Sequence, residues 1–168
     1  LILLIVVIIF FTCSILFESL RQPLVIISLI PISFIGTFLT FYFSRINFGT
    51  GGFASLVLLS GLVVNAAIYV INEYNGIRNN HPDQAKRISP VRLYVKAYNH
   101  KIIAVLLTVL STILGLVPFL IDGPQAEEFW FSFAIGTMGG LLFSIIALVF
   151  FMPILMPLFH KHEIHRSN

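Results

Sequence analysis

The chain carries little charge for its length. Only 10% of its 168 residues are charged, whereas soluble domains average about a quarter, and 58% are hydrophobic. A soluble fold of this size could hardly cover its surface with polar groups at this composition. The one cysteine, Cys13, excludes an intrachain disulfide. The composition therefore argues against a soluble domain and against a disulfide scaffold, and it indicates a membrane protein.

Charged residues divide the sequence into long apolar runs. A helix needs about 20 apolar residues to cross a hydrocarbon core about 30 Å thick, and four of the five runs reach that length. The runs lie at 1–17, 22–44, 46–72, 102–121 and 129–159. We therefore predict an all-α polytopic membrane protein with five transmembrane helices, at about 1–16, 24–44, 52–73, 101–121 and 130–158.

The basic residues are distributed unevenly between the connections. All but one of the ten Lys and Arg residues lie in 17–23, in 74–101 or in the tail after 159, and Arg45 alone lies in an opposite connection. Because Lys and Arg are held back on the cytoplasmic side during insertion, we expect the first group and the carboxy terminus to be cytoplasmic. The basic net charge of +3 then reflects topology, and we expect no nucleic-acid partner.

The segment 89–100 has an amphipathic pattern. Ser89 and Pro90 are typical of a helix N-cap followed by proline in the first turn. Apolar and aromatic side chains then recur at helical spacing, at Val91, Tyr94, Val95 and Tyr98. The pattern predicts a helix on the cytoplasmic membrane surface that turns into the fourth span. Such a helix could be a plain interfacial anchor or a lever that couples helix motion to the cytoplasmic surface.

No Asp, Glu, Lys, Arg or His falls in the middle of any predicted span. Ionisable groups inside a membrane usually mark ion or proton pathways. We therefore expect any energy coupling to draw its carboxylates from outside this sequence.

Uncharged polar residues do occur within the spans. Asn65 lies in the third, and Thr108 lies in the fourth, seven residues after Lys101 at the predicted cytoplasmic end. A carboxamide in hydrocarbon needs hydrogen-bond partners, so we expect Asn65 to face other helices or a hydrated interior, with Thr108 as a neighbour. The alternative for the hydroxyl groups is packing, with each bonded to its own helix backbone.

Glycines in three spans suggest close helix packing. Gly136 and Gly140 form a GxxxG pair in the fifth span, which lets a second backbone approach closely. Gly61 shares a helical stripe with Asn65, and Gly115 shares one with Thr108. We predict a packing role for all four glycines.

The sequence offers no clear catalytic or metal site. His160, His162 and His165 lie in a terminal segment where a solvated basic tail is the more frequent explanation, so we predict no metal ligands. No nucleophile–base pair lies within the spans, so we expect no enzyme activity.

Several short motifs, in order, resemble the resistance–nodulation–division (RND) efflux permeases. They are Phe17-Glu18-Ser19-Leu20, then Gly61 to Ile68, Ile113 to Pro118, and Gly136 to Gly140. The resemblance covers essentially the whole chain and keeps the spacing of all five spans. It is similar to the eighth to twelfth helices of the multidrug and hydrophobic-compound exporter branch, which implies the carboxy-terminal transmembrane half of a longer permease.

The resemblance also implies a mechanism and partners. The family exports drugs by proton influx, as an antiporter in the bacterial inner membrane, without a cofactor beyond the proton gradient. It works as a homotrimer with a periplasmic adaptor and an outer-membrane channel. In this sequence the family's relay threonine matches Thr108, and its basic residue at that helix end matches Lys101. Its relay lysine falls on Asn65, and an amide cannot supply a cation.

Two other functions fit the same helical bundle. One is an RND-superfamily relative for protein translocation or for lipid and sterol handling. The other is a structural membrane subunit without transport of its own. An exporter predicts a homologous half with a mid-membrane carboxylate pair, whereas a structural subunit does not.

Overall fold

The computed structural model describes residues 2–80, 89–121, 123 and 128–160, and over these ranges it is helical without strands. There are five long helices and one short one. They are α1 (Ile2–Phe17), α2 (Arg21–Ser44), α3 (Gly49–Asn80), α4 (Pro90–Leu116), α5 (Pro118–Ile121) and α6 (Glu128–His160). Four of them, α2, α3, α4 and α6, are long and apolar enough to cross a membrane, and α1 is a shorter apolar helix. The predicted all-α polytopic membrane fold is confirmed.

Helix α6 is central to the bundle. It packs most extensively against α2 and then against α3, and it also contacts α4 and α5, while α1 lies mainly against α2. The core between these helices is aliphatic, with fully buried side chains such as Leu29, Leu59, Ile71 and Leu148. Large apolar side chains also cover the outside of the helices, as expected where lipid replaces water.

The amphipathic segment does not form a separate surface helix. The expected turn before the fourth span is absent, because α4 runs without interruption from Pro90 to Leu116. Ser89 caps it as predicted, and its hydroxyl accepts a hydrogen bond from the Arg92 N–H at 3.4 Å. The apolar side of this segment packs against other helices, and it buries Leu93, Tyr94 and Ala97.

The ends of two predicted spans also differ from the structure. Helix α3 continues to Asn80, and α4 ends at Leu116, five residues before the predicted end. The break at Val117 precedes Pro118, which has no N–H to continue the helical hydrogen bonding. The predicted metal-free tail at His162 and His165 lies outside the described residues.

Candidate functional site

A cleft opens on one side of the bundle, where α3, α4 and α6 meet. It is a small, partly open groove, and its cavity volume of about 10 Å³ is roughly the space of one water-sized sphere. Residues from α3 and α4 form most of its wall, and α6 forms the back. They are Leu62, Asn65, Ala66, Tyr69, Val105, Thr108, Val109, Thr112, Leu141 and Ser144. The cleft is thus an apolar groove with a few polar side chains, which is the usual composition of a binding site.

The structure brings Asn65 and Thr108 together on this cleft, one from each facing helix. Both side chains are exposed. Among the described residues the Asn65 carboxamide makes no hydrogen bond, so its N–H groups and its oxygen are all open to a further group. An unpaired amide in a membrane-spanning helix would be costly against lipid, and this makes the cleft the strongest candidate site.

The serine and threonine hydroxyl groups of the cleft are already bound to their own helices. Thr108 donates to the Ala104 carbonyl at 3.0 Å, and Thr112 donates to the Thr108 carbonyl at 2.8 Å. Ser144 on α6 donates to the Leu141 carbonyl at 2.7 Å. Each hydroxyl oxygen therefore presents acceptor lone pairs to the cleft while its proton is used, and Asn65 supplies the donors.

Lys101 does not line the cleft. Its Nζ lies 3.3 Å from Oε2 of Glu73 on α3, and Nδ1 of the adjacent His100 lies 3.0 Å from Oε1 of the same carboxylate. Seven residues separate Lys101 from Thr108, which corresponds to about 10 Å along the helix axis. Glu73, His100 and Lys101 form a second group, the Glu73 cluster. It lies toward the Asn80 end of the line of contact between α3 and α4, which we call the α3–α4 seam.

The predicted packing glycines fall into two classes. Gly136 and Gly140 on α6 are buried, and a Cβ at Gly140 would lie 2.6 Å from Oγ1 of Thr37 on α2. Gly61 and Gly115 are exposed, and a Cβ at either would meet no heavy atom within 4 Å. Within the described chain these two glycines do not pack against another helix. A packing role for Gly61 and Gly115 stays a prediction, and it requires a helix from outside the described residues.

Sequence reasoning missed several of the residues at these sites. Tyr69 and Ser144 line the cleft, and Glu73 and His100 form the cluster, yet none was singled out. A signal for the cluster was present, because Glu73 ends one apolar segment and His100 and Lys101 begin the next. Opposite charges at the same ends of two successive antiparallel spans are placed to meet.

The exposed polar and small residues of α3 and α4 share one surface. Gly61, Asn65 and Asn72 are exposed on α3, and Thr108 and Gly115 are exposed on α4. Small residues in this setting typically allow another helix to approach closely.

A comparison with known protein families gives this arrangement a context. The chain matches the AcrB/AcrD/AcrF family over residues 1–160. The match includes all of the long helices and the cleft between α3, α4 and α6. It confirms the resemblance to RND permeases that the order of short motifs predicted. The chain belongs to the AcrB/AcrD/AcrF family, and it is a membrane-spanning module of an RND transporter.

Proposed function

We propose that this module couples proton influx to export, with Asn65 and Thr108 orienting carboxyl groups that other helices of the transporter supply. The observation that carries the proposal is the cleft itself. It places an unpaired amide and an acceptor hydroxyl on facing helices, in spans whose middle portions hold no ionisable side chain.

The exposed surface supports a partner for the cleft. Asn65 and Thr108 are both exposed, and Gly61 and Gly115 leave open space on the same two helices. Lipid tails cannot form hydrogen bonds with the Asn65 amide, whereas a helix with a polar side chain can. We infer that further helices of the permease cover this surface and place carboxyl groups in the cleft.

An amide acts differently from a lysine at such a site. Asn65 can donate N–H hydrogen bonds to a carboxylate, and its oxygen can accept from a carboxylic acid. It therefore orients the acid in either protonation state without contributing a charge. The protons are bound and released by the acids alone, and a mechanism that alternates between a lysine and an aspartate does not apply here.

The wider assignment follows the family. We propose a bacterial inner-membrane antiporter that exports drugs or other hydrophobic compounds and works as a homotrimer with a periplasmic adaptor and an outer-membrane channel. The distribution of Lys and Arg supports a cytoplasmic carboxy terminus and a cytoplasmic Asn80 end of α3. In this proposal the module needs no cofactor and catalyses no covalent chemistry.

The test is Asn65→Ala in the full-length transporter, with Asn72→Ala as the matched control. Asn72 is an exposed asparagine on the same helix but does not line the cleft. A hydrogen bond to a charged group contributes about 1.5–3 kcal/mol, so we expect export to fall about tenfold or more in the Asn65 variant and little in the control. Equal export by the two variants would contradict the proposal.

A further inference from the structure

The Glu73 cluster joins α3 to α4 through a single carboxylate. Oε1 lies 3.0 Å from Nδ1 of His100, and Oε2 lies 3.3 Å from Nζ of Lys101. The Glu73 side chain is 25% exposed, while the His100 and Lys101 side chains are 52% and 40% exposed. The cluster therefore lies at a wet end of the seam, where side chains can exchange protons with water.

The contact with Glu73 fixes the roles of the two imidazole nitrogens. An ionised carboxylate can only accept hydrogen bonds, and the Lys101 ammonium favours the ionised form. Nδ1 of His100 must then carry the proton that is shared with Glu73. Nε2 is left as the basic nitrogen of the ring, with a lone pair that can accept a proton.

The seam leads from the cleft to this histidine. On α3, Asn65, Tyr69 and Glu73 follow one another at intervals of four residues, and the first two line the cleft. Residues four apart on a helix are surface neighbours, with Cβ atoms about 5–6 Å apart. The Tyr69 phenol, which can both donate and accept, thus lies between the cleft and the cluster, about 12 Å from one end to the other.

We propose that His100 is the group that exchanges protons between the cleft and the water at the cluster end of the seam, and that Glu73 positions it. The inference rests on the proposed function, because it assigns the exit of the coupling proton. A proton that leaves the cleft binds Nε2 and forms the imidazolium. It then passes to water, and the neutral imidazole is restored. Only N–H and O–H bonds form and break, and no redox partner is needed.

The charged groups near His100 come from two helices. Glu73 faces it from α3, and Lys101 follows it on α4. Lys96 lies one turn earlier on α4 and is exposed. A proton acceptor here must be neutral before it can accept. We therefore expect proton flux to fall as the pH on this side is lowered, because an imidazole that already carries the proton cannot accept another.

The test is proton flux through the full-length transporter in vesicles that hold the pH-sensitive dye pyranine, with ethidium as the trial substrate. The key variant is His100→Asn, whose amide nitrogen can still donate to Glu73 but cannot titrate. We expect about a tenfold or greater fall in flux, loss of its pH dependence, and recovery when imidazole is added on the cluster side. Glu73→Gln should also lower the flux, and Glu18→Gln, an exposed acid of the turn between α1 and α2, is the control.

The outcomes separate the two proposals. If the wild-type transporter shows no more proton flux than empty vesicles, the proposed proton coupling is wrong, and the inference about His100 is wrong with it. If the wild type conducts protons and His100→Asn keeps both the rate and the pH profile, the assignment of His100 alone is wrong. A fall in flux that imidazole does not reverse would indicate a structural role for the contact and would also overturn it.

Discussion

The contact between the first turns of α3 and α6 provides a sharp test of the packing. Gly51 on α3 is buried against the α6 backbone. An alanine methyl at this position would overlap the carbonyl oxygen of Phe129 and would lie 3.0 Å from the nitrogen of Phe133. These are backbone atoms, so only a separation of the two helices can relieve the overlap.

The expected magnitude follows from a matched pair. Overpacking costs typically about 1–3 kcal/mol, and alanine gains up to about 1 kcal/mol over glycine inside a helix. Gly76→Ala on the same helix has the same gain without a clash, because its new methyl group would have no heavy atom within 4 Å. The difference between the two variants therefore isolates the overpacking cost of about 1–3 kcal/mol.

Hydrogen exchange in the full-length transporter measures this cost locally. A local destabilisation of about 1–3 kcal/mol accelerates exchange about 5- to 150-fold, since about 1.4 kcal/mol is a factor of ten. We expect this acceleration in the first turns of α3 and α6 for Gly51→Ala, and none for Gly76→Ala. Equal exchange in the two variants would refute the close approach of the helices.

Three further predictions concern hydrogen bonds that join or cap helices. Tyr94→Phe removes the buried hydrogen bond that the Tyr94 hydroxyl donates to the Leu148 carbonyl at 2.9 Å. We expect the free energy of unfolding, measured by chemical denaturation, to fall by about 1 kcal/mol. An unchanged free energy of unfolding would contradict this prediction. Gln22→Leu breaks the two hydrogen bonds between the amides of Gln22 and Asn75, at 2.8 and 3.0 Å. We expect faster hydrogen exchange at the start of α2. An unchanged exchange rate would count against this pair. Ser89→Ala removes the N-cap of α4 and should destabilise the start of this helix by about 1 kcal/mol. We expect faster proteolysis of its first turn. Equal cleavage of the wild type and the variant would show that the cap is not needed.

The fold class and the five long helices could be predicted, because long apolar runs mark them. A membrane-spanning helix must satisfy its own backbone, so a long apolar run has few alternatives. The ends were harder to place, since α3 continues beyond its apolar run, which ends at Asn72, as far as Asn80. Beyond the hydrocarbon, helix length depends on tertiary contacts such as the Gln22–Asn75 pair, which a single sequence does not reveal.

The amphipathic segment shows a different limit. The predicted apolar stripe is present. However, an apolar stripe that faces a membrane surface has the same residue spacing as one that faces a neighbouring helix. The structure decides between them at Tyr94, which is buried and bonded to α6. A tyrosine with a buried hydroxyl needs a protein partner, and only the fold identifies it.

The candidate site was predictable in part. Asn65 and Thr108 were recognisable as polar residues in apolar spans, and the structure places both on one cleft. The glycine contact between α2 and α6 was not recognisable, because Gly36, whose Cβ would lie 2.8 Å from the Gly139 carbonyl oxygen, is far from it in sequence. A sequence motif such as GxxxG marks one helix of such a contact but not the helix that packs on it.

The most direct test of the central claim is a double-mutant cycle between Asn65 and Thr108, with export by the full-length transporter as the readout. Asn65→Ala, Thr108→Val and the double variant are compared with the wild type. If both side chains orient the same acid in the cleft, the losses are non-additive, with a coupling of about 0.5–3 kcal/mol, and the double variant exports about as well as the poorer single one. Losses that simply add would show that the two residues act independently, and the account of the cleft would be contradicted.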